Sequence, residues 1–138
     1  MSKSRCLQLT LIATLGIMSH RPAASASLSD LQGAWAPKAD ACGEMFRKKG
    51  QTVEFVRKGL AAPTSFIIDQ QRARGPRGNC RILSVRAHGD VLNLRLGCEM
   101  MVIADTYTVS VRFLDKDVIY RFDPSFPEIE SRFERCKF

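Results

Sequence analysis

Histidine is scarce in this chain, which holds only His20 and His88. A Ser-His-Asp or Cys-His arrangement would have to use one of them, and a histidine-rich metal site is excluded. No C-x2-C pair occurs, which argues against a zinc site built from thiolates. No glycine-rich phosphate loop follows a strand-like run. Carboxylates do pair up, as Asp115/Asp117 and Glu128/Glu130, but the first pair flanks a turn and the second follows a proline break. Both are solvent-facing settings that suit general acid–base chemistry poorly. Beyond residue 18 no segment is long and apolar enough to span a bilayer, a task that takes roughly 20 apolar residues. What is there is an ordinary globular composition, 45% hydrophobic and 25% charged, and not a disordered one. No enzymatic activity, metal or other cofactor is expected.

The first 26 residues read as a cleaved secretory signal peptide. Lys3 and Arg5 form a positive n-region, Leu7 to Met18 an apolar stretch, and Ala24-Ser25-Ala26 offers small residues for cleavage after Ala26. Ser19, His20, Arg21 and Pro22 end the apolar run too early for a membrane anchor. Removing the leader discards Lys3, Arg5 and Arg21, leaving 18 basic against 14 acidic residues. The modest excess and the compartment disfavour nucleic acid. Residues 27–138 are expected to form a single domain, periplasmic or secreted, with no transmembrane segment.

Export makes the cysteines interpretable. With Cys6 lost, Cys42, Cys80, Cys98 and Cys136 form an even set for an oxidising compartment. The outer and inner pairs are each centred on residue 89, where His88-Gly89-Asp90 separates two apolar runs. A three-residue loop would set Cys80 opposite Cys98. A two-residue Gly89-Asp90 loop would instead align Leu83, Val85 and Ala87 with Leu96, Leu94 and Leu92, and a β-bulge near Cys80 would reconcile the two. Cys80–Cys98 with Cys42–Cys136 is favoured, and Cys42–Cys80 with Cys98–Cys136 is the rival.

Along the chain, Leu31 to Trp35 reads as a first strand, and Asp40 caps a short helix through Lys48 with Gly50 as its stop. Strands are expected over Thr52–Arg57 and Ser65–Asp69, with a basic loop from Arg72 to Gly78. After the central hairpin, Tyr107, Val109, Val111 and Phe113 alternate and should face Val118, Tyr120 and Phe122 across an Asp115-Lys116 turn. Asp123 to Pro127 is a break, and Ser131 to Phe138 the last strand. The fold class is therefore mainly β: a small antiparallel barrel or sandwich of about eight strands with one short helix near its N-terminus, stapled by two disulfides.

Leu31-x-Gly33-x-Trp35, a cysteine soon after it, and the arginines Arg132 and Arg135 on the last strand resemble the calycin group. The nearest likeness is to the bacterial periplasmic inhibitors of serralysin-type metalloproteases; the layout also resembles a group of exported alphaproteobacterial proteins. The resemblance covers about a dozen residues. It implies an eight-stranded barrel whose Trp35 packs on an arginine of the final strand. It also implies an N-terminal tail, here Ser27, Leu28, Ser29 and Asp30, that enters a protease cleft. The inhibitors generally carry one disulfide, and four cysteines here depart from that.

The expected function is a non-enzymatic binding module of the bacterial envelope, in its sharpest form a protease inhibitor. The alternatives are a lipocalin-like carrier of a small apolar ligand, or a structural envelope protein without one. The partner would be a protein or an anionic envelope surface, and Arg72, Arg74, Arg77 and Arg81 are the candidate anion-binding loop. His88, in a turn, is expected to be a solvated polar residue.

Overall fold

Alternation along Leu92-Asn-Leu-Arg-Leu96 sends Leu92, Leu94 and Leu96 to one side of a strand, where all three are buried. The same period recurs around a closed antiparallel barrel. The computed structural model describes residues 25–56, 64–100 and 103–138, so nearly all of the expected signal peptide lies outside the described residues. Within them the strands are β1 (Gly33–Ala36), β2 (Phe46–Lys49), β3 (Thr52–Phe55), β4 (Phe66–Asp69), β5 (Arg72–Gly75), β6 (Gly78–His88), β7 (Val91–Met100), β8 (Ile103–Phe113), β9 (Val118–Asp123) and β10 (Phe126–Arg135). Eight close the barrel in the order β1-β10-β9-β8-β7-β6-β5-β4, while β2 and β3 form a separate hairpin. Closure leaves the barrel without a free strand edge.

The central hairpin contains both features that the sequence set against each other. His88 pairs with Val91 across a two-residue Gly89–Asp90 loop, and Gly89 supplies the φ of 61° that such a loop needs. The register then shifts between Ile82 and Ser84, a bulge at Leu83, which places Cys80 directly opposite Cys98. Cys80–Cys98 joins those neighbours at a Cα separation of 4.0 Å. Cys42–Cys136 ties the start of the domain to its end across 94 residues.

Several elements differ from the sequence reading. The helix is short, a 3₁₀ turn (Ala39–Ala41) running into α1 (Cys42–Met45). Phe46 turns extended, and Phe46–Lys49 pairs with Thr52–Phe55. Gly50, φ 62°, therefore opens a hairpin loop and does not stop a helix. The segment read as a basic loop is another hairpin, with Arg72–Gly75 paired to β6 through a Pro76–Arg77 turn. Asp123 to Pro127 is no break, since Asp123 pairs with Phe126 and β10 begins there.

Two apolar clusters result. Inside the barrel lie Leu31, Trp35, Ile68, Ile82, Leu92, Leu94, Leu96, Val111, Ile119 and Phe133. Outside it, Ala34, Ala36 and Ile67 point away from the lumen and pack with Cys42, Phe46 and Cys136 under the β2–β3 hairpin. The Cys42–Cys136 bridge thus fastens this outer layer to the barrel wall.

Candidate ligand cavity

One end of the barrel is sealed. Trp35 is fully buried, and its indole Nε1 donates to the Leu31 carbonyl at 2.9 Å. Burying a ring of this size removes roughly 150–250 Å² from water, on the order of 4–6 kcal/mol. The Arg135 guanidinium lies 4.3 Å from the Trp35 ring centroid. It donates to the carbonyls of Gln32, Asp30 (2.6 Å) and Lys116 (2.7 Å), and its Nε donates to Asp117 at 3.1 Å. One planar side chain thereby holds three chain segments together over the tryptophan. Gly33, beneath it, has a φ of 116°, a backbone conformation that favours glycine.

Arg135, then, is the last-strand arginine on Trp35. Arg132 is not. It is outward and exposed, paired with Glu134. Arg132 holds the Glu134 carboxyl below the usual range, and the Ala39 N–H, donating at 2.8 Å, adds to this. Ser27 to Asp30 belong to the sealed end as well. Leu28–Leu31 is a 3₁₀ turn whose Leu31 is buried, and the Ser27 hydroxyl and N–H both donate to Asp30, at 2.6 and 2.9 Å. Those two bonds pull the Asp30 carboxyl below its ordinary value. Just ahead, the Ala26 N–H donates to the Gly89 carbonyl at 3.0 Å.

The four arginines of the candidate anion loop do not converge. Arg72 and Arg81 are direct cross-strand partners, both exposed on the outer wall, and neither is ion-paired among the described residues. Arg74 lies on the same face but reaches the β2–β3 hairpin, where its Nη2 donates to the Val53 carbonyl at 3.1 Å. Arg77, in the Pro76–Arg77 turn, stands at the open end of the barrel.

That open end leads into a cavity of about 540 Å³, well inside the 300–1,000 Å³ range of small-molecule sites. Ile68, Ala73, Leu94, Leu96 and Val109 line its walls, and the Cys80–Cys98 bridge lies on one side. Tyr107, Phe126 and Ile129 also line it while 45%, 57% and 67% exposed, so the mouth is open and apolar.

Within this apolar space stands one cation the sequence reading passed over. Tyr107, Val109, Val111 and Phe113 had been expected to face Val118, Tyr120 and Phe122. Instead Val111 pairs with Arg121 and Phe113 with Ile119, because the Leu114 N–H donates to the Val118 carbonyl at 3.0 Å and leaves a three-residue loop, Asp115 to Asp117, one residue longer than the expected turn. A one-residue change of register exchanges the two faces of a strand. Ile119 and Arg121 therefore point inward, while Tyr120 and Phe122 lie outside under Arg112, 5.9 and 5.7 Å from its guanidinium. The Arg121 guanidinium lies 5.0 Å from the Phe133 ring centroid and 5.9 Å from that of Phe66. Burial lowers its pKa below the ordinary arginine value. Arg121 is half-buried, and aromatic faces offer such a cation about 0.5–2 kcal/mol.

Among the described residues no group of three or more His, Cys, Asp or Glu side chains could hold a metal ion, and no helix is long and apolar enough to cross a membrane. No protein-family model matches the chain, and no curated protein or solved structure matches it.

Proposed function

We propose that this chain is an exported, non-enzymatic carrier that holds a small, largely apolar ligand inside its barrel. The observation that supports this most is the 540 Å³ cavity, open at one end and lined by aliphatic side chains. A barrel whose only task was structural would be expected to fill its lumen, since interiors pack to near-crystalline density. The sealed end gives such a site a rigid floor. Two disulfides suit an oxidising compartment, and the periplasm or the exterior is the proposed location. Outward positions such as Arg81, Arg86 and Arg95 carry charge, the reverse of the apolar outer band of a lipid-embedded barrel.

Titration of the purified protein with N-phenyl-1-naphthylamine, a neutral probe that brightens in apolar surroundings, tests the proposal. A saturable one-to-one rise is expected, reduced at least tenfold in affinity by Val109→Phe, which fills the lumen. No saturable rise in a folded sample would remove the carrier reading.

The protease-inhibitor reading is supported by the Arg135–Trp35 packing that its resemblance implied. It also requires Ser27 to Asp30 to leave the sealed end and expose the buried Leu31 floor. Residual activity of a serralysin-type protease mixed with the protein decides it: full activity in the presence of excess protein dismisses the inhibitor.

A further inference from the structure

We infer that the cavity selects amphiphiles bearing a single anionic headgroup, with Arg121 holding the head while the apolar body fills the space beside Ala73, Leu94, Leu96 and Val109. The inference rests on the carrier reading and adds a ligand class to it. An arginine stays charged at every physiological pH, so it cannot relieve its burial by losing a proton. Its cross-strand neighbours inside the barrel are Val111 and Ser131, neither of which carries charge. All 14 acidic residues of the sequence fall among the described residues, and none is ion-paired with Arg121. Asp123, two positions along β9, also lines the cavity, but it is exposed and its Oδ1 accepts the Ser125 N–H at 2.7 Å.

The guanidinium faces two aromatic rings and keeps N–H donors that no described residue accepts. A carboxylate or comparable oxyanion meets that need, because charge-assisted hydrogen bonds to arginine are shorter and stronger than those to a neutral acceptor. A neutral alcohol of the same length would leave the cation uncompensated, and an amine would add repulsion. Arg77 at the mouth contributes a second positive charge on the route inward.

Calorimetric titration of the whole purified protein with dodecanoate, dodecanol and dodecylamine, each below its micellar concentration, separates the two claims. Dodecanoate should bind at least tenfold more tightly than dodecanol, with dodecylamine weakest. Arg121→Gln should abolish the preference while dodecanol affinity changes less than threefold. Circular dichroism checks the variant's fold; if it does not fold, the wild-type ranking decides alone. Equal affinities for dodecanoate and dodecanol, or a preference that survives in a folded Arg121→Gln protein, overturn the inference and leave the carrier reading standing. No saturable binding of any of the three removes the carrier reading itself.

Discussion

Arg135 stacks on Trp35 at 4.3 Å while the same guanidinium bonds the carbonyls of Asp30, Gln32 and Lys116. The contact joins β10 to β1, to the turn before it and to the β8–β9 connection. Lysine carries the charge but has neither the plane nor the fork. Arg135→Lys is therefore expected to cost about 2–3 kcal/mol in urea denaturation, since carbonyls at a sealed barrel end lose their donors. Arg132→Lys, on an exposed ion pair, should stay within about 0.5 kcal/mol of wild type.

Gln70 is the one described non-glycine residue with a positive φ, 52°, at the β4–β5 loop. The Gln32 side chain holds it there: its Oε1 accepts the Gln70 N–H at 2.7 Å and its Nε2 donates to the Gln70 carbonyl at 3.2 Å. Two substitutions should act in opposite directions. Gln70→Gly removes the left-handed strain and should gain about 0.5–1 kcal/mol. Gln32→Ala leaves the strain unsupported and should lose about 1–2 kcal/mol. Thermal melts of both variants check the pair.

The two bridges close loops of very different length, 94 and 18 residues apart in sequence. The loop-entropy model assigns about 5 kcal/mol to the longer and about 3 kcal/mol to the shorter. Replacing Cys42 and Cys136 together by serine should thus lower the urea midpoint more than replacing Cys80 and Cys98. Equal losses would mean that chain entropy is not the source of the stabilisation.

Acid should weaken the sealed end first. Lys137, at 2.8 Å, is the main cause holding the Asp117 carboxyl below its ordinary value of 3.8, with Lys116 and Arg135 adding to it. The Ser27 hydrogen bonds do the same for Asp30. Both groups have folded values beneath their unfolded ones. Their contribution is complete above about pH 4 and is lost as pH falls through the folded values. Melting temperature should accordingly decline below pH 4, and the decline should be shallower in Asp117→Asn.

The sequence disclosed those parts that local pattern determines. Glycine at 89 and alternation in β7 point to the central hairpin and its bulge, and the symmetric cysteines favour the observed bridges over their sequential rival. Phe46–Lys48 reads as helix in the sequence because Asp40 and Gly50 bracket it with signals that suit a helix and a hairpin equally. Arg72–Gly75 carries no strand signal because its lumen-facing side chain is Ala73, too small to announce a strand. Arg121 was hidden by a single residue of loop length. With Tyr120 and Phe122 on either side, the aromatic face looked like the inner one, and only the pairing of Val111 with Arg121 shows otherwise. The cavity itself is a property of closure, brought about by strands distant in the chain, and no local pattern encodes it.

The central claim is that the lumen is a binding site. Titrating isotopically labelled protein with dodecanol while recording amide correlation spectra tests it most directly. The account predicts saturable shifts centred on Ala73, Leu94, Leu96, Val109 and Arg121, with the amides of Trp35 and Arg135 at the sealed end little changed. Shifts confined to the outer wall, or none at concentrations where the alcohol remains monomeric, would contradict it.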